Sequence, residues 1–230
     1  MSDVAVRVVK RVLFPVALLF GVMVGLGLLI TKVMAHVWPF TVEDSVNREL
    51  ERDRTAEGNA VSLVFSTLAN TPVIIAVTAL AALVLRLTLK RWREPIFLCV
   101  AVTAQALVFF LTTLVIDRTR PAVDHLDASP PTSSFPSGHT SAAVALYLGL
   151  AVLLVRLTNR TGLKALCWLL VLVPVCVAVA RMYRGMHHPT DVLASFLNGG
   201  TCVAVTARAF LDEGVRRVRR AIGSRRLAHS

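Results

Sequence analysis

Apolar residues fall along this chain in six long runs, at about 12–35, 61–89, 95–116, 139–157, 164–181 and 189–210, separated by polar connections. A helix rising about 1.5 Å per residue needs roughly 20 residues to cross about 30 Å of hydrocarbon, and the runs are of that order. The pattern predicts an all-α fold, a six-transmembrane helical bundle. One domain is expected over residues 1–230, ending in a basic tail from about 211; no internal repeat, low-complexity tract or second domain is visible. The first run follows Arg7, Lys10 and Arg11 as a secretory signal would, but its apolar core is longer than a signal's and no clean A-x-A-type site follows, so it is read as a retained span.

Finer features refine the pattern. Pro72 inside the second run predicts a kink, with Asn70 and Thr71 near enough to satisfy freed backbone groups. Gly21 and Gly25 have the spacing of a helix-contact pair, or are simply glycines of the kind common in membrane helices. Trp38 follows the first run where an interfacial indole belongs. From Thr41 to Arg54, Val42, Val46 and Leu50 recur at helical spacing among charges, and Thr41 with Asp44 approximates a helix cap. This predicts a short helix on the outer surface, serving either as a lid or lateral gate or as a solvated connector.

Charge then fixes orientation. The chain carries 25 Lys and Arg against 14 Asp and Glu, a net +11 that suggests nucleic acid until its distribution is considered. The N-terminus, the 86–94 and 156–164 connections and the chain from 208 onward hold 17 basic and four acidic residues. The other side and the spans hold the remaining eight basic and ten acidic residues. Positive residues stay cytoplasmic, so both termini are expected inside and the opposite loops outside the cell membrane. Nucleic acid is not an expected partner. The basic tail either marks orientation or also meets anionic headgroups. Cys99, Cys167, Cys176 and Cys202 all lie in apolar runs without metal-site spacing, so neither disulfide nor zinc is expected.

Three polar islands fall on the same, outer side: Arg118-Thr119-Arg120-Pro121, Pro136-Ser137-Gly138-His139, and the spaced set Arg181, His187 and Asp191. Together they hold what cleavage of a phosphate ester requires. Arginine donates two parallel bonds to phosphate and keeps its charge, so Arg118, Arg120 and Arg181 are candidate phosphate ligands, although each alone also fits a snorkelling anchor. Ser137 and Gly138 open a helix, where unpaired backbone N–H groups and the helix dipole attract anions. His139 reaches the same spot and can protonate a departing oxygen. His187 and Asp191, four residues apart, fit one helix face, where a carboxylate bonded to one ring nitrogen frees the other as a nucleophile. His188 lacks that spacing, and His36 and His229 lie outside the islands.

These residues resemble the type 2 phosphatidic acid phosphatase superfamily, whose pattern is Lys-x6-Arg-Pro, Pro-Ser-Gly-His and Ser-Arg-x5-His-x3-Asp. The chain matches at Arg120-Pro121, at Pro136 to His139, and at Arg181, His187 and Asp191; Thr113 stands in place of the Lys and Ala180 in place of the Ser. The resemblance implies that His187 attacks phosphorus to form a phosphohistidine, with Asp191 orienting it and His139 as general acid. Arg120, Arg181, Ser137 and the Gly138 amide would hold phosphate oxygens, with Arg118 partly replacing the missing Lys. No metal and no cofactor are implied. The expected partners are the bilayer and a membrane lipid phosphate, of phosphatidate or undecaprenyl diphosphate type; oligomeric state is left open. Phosphate transfer to another acceptor, or a non-catalytic relative with a decayed site, are the alternatives.

Overall fold

The computed structural model describes residues 9–34, 37–38, 40–128 and 131–212; His36, His229 and the tail beyond 212 lie outside the described residues. The described elements are helices: α1 (Lys10–Val33), α2 (Glu43–Arg52), α3 (Ala56–Leu68), α4 (Thr71–Leu89), α5 (Arg93–Val115), α6 (Gly138–Leu157), α7 (Thr161–Tyr183) and α8 (Pro189–Leu211). Six of them, α1 and α4 to α8, are long and apolar enough to cross a membrane. Helix α5 is central and packs against α1, α4, α6 and α8. Its Phe97, Leu98 and Ala101 join Leu146, Val177 and Val203 in one apolar core, while Val108 joins Met23, Ile116 and Phe135 in another. Helix α4 is peripheral, with Ile75, Leu80 and Leu87 exposed on the side a bilayer would cover.

The run at 61–89 is not one kinked span. The helix ends at Leu68, Asn70 is extended (φ −64°, ψ 144°), and a new helix begins at Thr71 with Pro72 in its first turn. Proline lacks an N–H and fits where helical N–H groups have no partner anyway, so it starts α4 instead of bending a longer helix. The chain break is supported across the bundle, since Tyr147 Oη donates to the Leu68 carbonyl at 3.1 Å. Helix α3 is thereby released from the span and lies against α7.

The surface helix is present as α2, but Thr41 does not cap it. Val42 holds the cap position without a side-chain bond, and Glu43 and Asp44 occupy the first turn, where the helix dipole favours acids. At the opposite end of the bundle, Arg93 donates to the carbonyls of Phe210 (3.0 Å) and Leu211 (2.5 Å), satisfying the open C-terminus of α8.

Candidate active site

Two of the three islands are helix N-termini brought side by side. Ser137 caps α6: its Oγ accepts from the Thr140 amide at 3.4 Å and the Thr140 hydroxyl at 3.1 Å. Its own amide donates to Ser195 Oγ on α8 at 2.8 Å, and Ser195 Oγ donates to the Asp191 carbonyl at 2.7 Å. The starts of α6 and α8 are thus tied together through buried hydroxyls. At Gly138 an added Cβ would lie 2.7 Å from the Phe109 ring, so only glycine lets α5 approach this turn.

His187 precedes α8 instead of riding on it. The chain turns at Gly185, whose φ of +74° and closeness to the Asp124 carbonyl (2.7 Å from an added Cβ) exclude a larger residue. The His187 ring is 4% exposed, and its Nδ1 lies 2.8 Å from the Ser134 carbonyl. A carbonyl only accepts, so Nδ1 carries the proton and Nε2 has the free lone pair. Asp191 Oδ2 is 3.8 Å from Nδ1, beyond hydrogen-bond range, so the expected direct His187–Asp191 bond is replaced by one to Ser134. Asp191 is fully buried and instead completes the start of α8, accepting from the His188 amide at 2.8 Å and pairing with Arg118. Burial lowers the His187 pKa from its ordinary value, Asp191 works against that shift, and Arg181 and Arg120 reinforce it.

His139 opens into the same cavity as His187. Its Nε2 lies 2.7 Å from Asn70 Oδ1, in the break between α3 and α4. Because Asn70 is extended and makes no cap bond with its own helix, its amide is free to hold this ring.

The three arginines part company. Arg120 donates through Nη1 to the Met186 carbonyl at 2.7 Å. Arg181 donates through Nη1 to Ser66 Oγ at 2.7 Å and Asp127 Oδ2 at 2.5 Å. Both line the cavity, and the Nε of each is buried without a hydrogen-bond partner among the described residues. Burial lowers the Arg120 pKa and Asp191 opposes the shift, yet a guanidinium starts so high that its charge persists. Asp127 also receives a two-pronged bond from Arg184. Burial disfavours its charge, but Arg184 and Arg181 outweigh that and hold its pKa below the usual carboxylate range.

Arg118 is committed elsewhere. Its Nη1 meets Asp191 and Thr190 Oγ1, and its Nη2 meets Glu43 Oε2 at 2.5 Å. It lines a separate recess with Glu43, Asp44 and His188, so it does not stand in for the missing Lys at the cavity. Thr113 bonds the Phe110 carbonyl on its own helix and is not part of the cavity wall. Ser137 is wholly buried as a cap, leaving its hydroxyl away from the cavity while Gly138 lines it.

The cavity itself is about 940 Å³. One end is polar, with Arg120, Arg181, His139, His187 and Gly138; the rest is walled mainly by apolar groups such as Ile74, Val102, Ala106 and Phe109, with Thr103 and Gln105 among them. It runs between α4 and α5 to the outer surface beside Ile75 and Phe110, both well exposed. The sequence motifs missed Asn70, Ser134, Asp127 and Glu43. Only Asn70 left a signal, an amide beside a proline inside an apolar run.

Helix α2 acts as a brace. Glu43 Oε1 accepts from the Thr190 amide at 2.8 Å, and Asn47 Nδ2 donates to the His187 carbonyl at 3.1 Å. Arg54, just beyond, donates to the Tyr183 carbonyl at 2.9 Å. The predicted lid or connector is a buttress that grips the backbone of the third island.

Comparison with known proteins agrees with this architecture. The family model for the PAP2 superfamily matches residues 68–214. Phosphatidylglycerophosphatase B of Bacillus subtilis (strain 168) is 33% identical over 106 residues, 45% of this chain and 51% of that protein. The chain therefore spans about half the length of that curated relative. The crystal structure of a transmembrane PAP2-type phosphatidylglycerolphosphate phosphatase from Bacillus subtilis superposes with a TM-score of 0.73 at 20% identity, covering 87% of this chain and 95% of that one. Aquifex aeolicus LpxE gives a TM-score of 0.59 at 21% identity, over 71% of this chain and 93% of the other. With six apolar helices and this fold, the protein is an integral, multi-pass membrane protein. Its family model, its motifs and its bundle all agree: the chain belongs to the PAP2 superfamily.

Proposed function

We propose that the protein is a membrane lipid phosphatase that cleaves lipid phosphate monoesters or diphosphates through a phosphohistidine. The observation carrying this reading is the convergence of His187, His139, Arg120 and Arg181 at the polar end of one apolar slot. Phosphoryl transfer is mostly positioning and charge stabilisation. Arg120, Arg181 and the Gly138 amide hold phosphate oxygens at the starts of two helices. The Nε2 lone pair of His187 forms the N–P bond as the bond from phosphorus to the lipid oxygen breaks. His139 gives that oxygen its proton, releasing the lipid alcohol from a monoester or the lipid monophosphate from a diphosphate. With Nε2–H held on Asn70, Nδ1 of His139 is the nitrogen that gives and later regains the proton. Water then attacks phosphorus as neutral His139 takes its proton, the N–P bond breaks, and inorganic phosphate leaves. Asp191 supports the site through Arg118 and the α8 start, not as a direct partner of His187.

The slot suits a lipid whose phosphate enters the polar end while its chain remains among apolar walls. Phosphatidate-type esters, the phosphatidylglycerophosphate class named for the Bacillus subtilis relative, and undecaprenyl diphosphate are the candidate substrates. Six spans filling most of the chain support a single domain over 1–230, and the charge distribution supports cytoplasmic termini and an extracytoplasmic site in a cell membrane. The test is phosphate release from a panel of lipid phosphates, with acid-labile radiolabel trapped on the protein during turnover. Label on the wild type and none on His187→Ala is expected. Phosphate release undiminished by His187→Ala overturns the reading.

A further inference from the structure

Gln105 is a polar side chain that the phosphoryl chemistry leaves unused. It lies midway along α5, 3% exposed, on the wall of the slot. Its side-chain oxygen has no hydrogen-bond partner among the described residues. The neighbouring Asn198 serves only its main chain, donating to the Gln105 carbonyl at 3.2 Å and to Ser141 Oγ at 3.4 Å. An amide oxygen left unpaired in so apolar a place is costly, and such groups in native proteins call for a reason.

Two independent rulers give its depth. Phe109 touches the Gly138 turn, and Gln105 is one helical turn further from it along α5. On α6, Ser141 shares Asn198 with Gln105 and is three residues beyond Gly138. Both place the backbone of Gln105 about 5 Å below the phosphate-binding turn, from the rise of an α-helix. Around it the slot is walled by Val102, Ala106 and Ala142.

We propose that Gln105 is a specificity-determining residue that reads the ester linkage of a glycerolipid phosphate. The inference rests on the lipid phosphatase reading and narrows its substrate class. In a diacylglycerol phosphate the ester carbonyls lie a few bonds below phosphorus, at the level of this amide. The Gln105 oxygen is the buried atom, so its NH2 is the group left to donate to such a carbonyl, which pairs both away from water. A polyprenyl monophosphate carries only hydrocarbon at that depth and would leave the amide unpaired.

The test compares kcat/KM of the purified full chain and Gln105→Met on diacylglycerol phosphate, polyprenyl phosphate and p-nitrophenyl phosphate in mixed micelles. Methionine keeps length and volume but removes the hydrogen bond. About a tenfold loss on the diacyl substrate alone is expected, the upper range for one neutral hydrogen bond. An equal loss on all three substrates marks a purely structural role and overturns the proposal, as does an unchanged ratio between the two lipids. A second measurement needs no variant: the wild type should cleave a dialkyl ether analogue severalfold less efficiently than the diester, and equal rates overturn the proposal. A wild type that cleaves polyprenyl but not diacyl phosphate refutes the role of Gln105 while leaving the phosphatase reading intact. Cleavage of none of them refutes both.

Discussion

On one side of the turn from Arg184 to Asp191, Arg118 meets Glu43 and Asp191, and His188 meets Asp44 and Asp191. On the other side, Arg120, Arg181, His139 and His187 face an open cavity. The residue types are alike; their balance differs. Both terminal nitrogens of the Arg118 guanidinium meet a carboxylate or hydroxyl, so the charge is spent on holding α2 to α8. Across the turn, Asp127 is shared between Arg181 and Arg184, and the Nε groups of Arg120 and Arg181 have no partner among the described residues. Saturated charges brace a fold, and unsaturated ones are available to a ligand.

The sharpest break between the two sides is His187→Ala, which should abolish phosphate release while leaving the melting temperature near that of the wild type. His36→Ala and His229→Ala, outside the islands, should leave turnover unchanged in the same assay. Next come the arginines, which should fail in different currencies. Arg181→Ala should lower kcat/KM by about 10²–10³, the usual cost of one transition-state donor, because Asp127 keeps Arg184 as a partner. Arg118→Ala should instead destabilise by about 3–5 kcal/mol, since it strands the buried carboxylates of Asp191 and Glu43. Thermal unfolding alongside kinetics separates them; equal losses of stability would erase the proposed contrast.

Asn70→Ala should lower kcat on alkyl phosphates about tenfold, a part of the 10²–10⁴ that a positioned acid contributes. The same variant should barely affect p-nitrophenyl phosphate, whose leaving group needs no proton. A uniform loss on both would mean that Asn70 only shapes the chain break. The smallest effect is in the pH profile. A nucleophile whose pKa is lowered stays neutral on the acid side of the ordinary histidine range, so the acid limb assigned to His187 should fall below about pH 6.5. The stability sign follows: this group's contribution is complete above about pH 6.5 and declines as acid protonates the unfolded histidine first. Kinetics from pH 4 to 8 check the limb, and a limb above that range would contradict the buried, neutral ring.

The sequence located the two histidines and two cavity arginines because helix N-termini and cationic islands are local features. It misjudged Arg118 and Ser137 because residue type does not reveal which way a side chain faces once acidic partners arrive from elsewhere. Glu43 reaches Arg118 across 75 residues, and Asn70 reaches His139 across 69. The spacing of His187 and Asp191 suggested a helical pair, yet Pro189 starts the helix only after His187, and the Ser134 carbonyl takes the ring instead. Pro72 likewise signalled a disturbance, but whether it would bend or end a helix depended on α7, against which the freed α3 lies, and on Tyr147.

By itself the sequence determined the six spans, the charge asymmetry between their two ends, and the polar residue types that gather at the cavity, since hydropathy and charge act over one helix length. Only the tertiary structure decided which cations remain unpaired, which carbonyl holds the His187 tautomer, and how deep Gln105 sits below the Gly138 turn. Those are properties of distance between helices, and no local pattern encodes how carboxylates from α2 or an amide from a chain break will meet them.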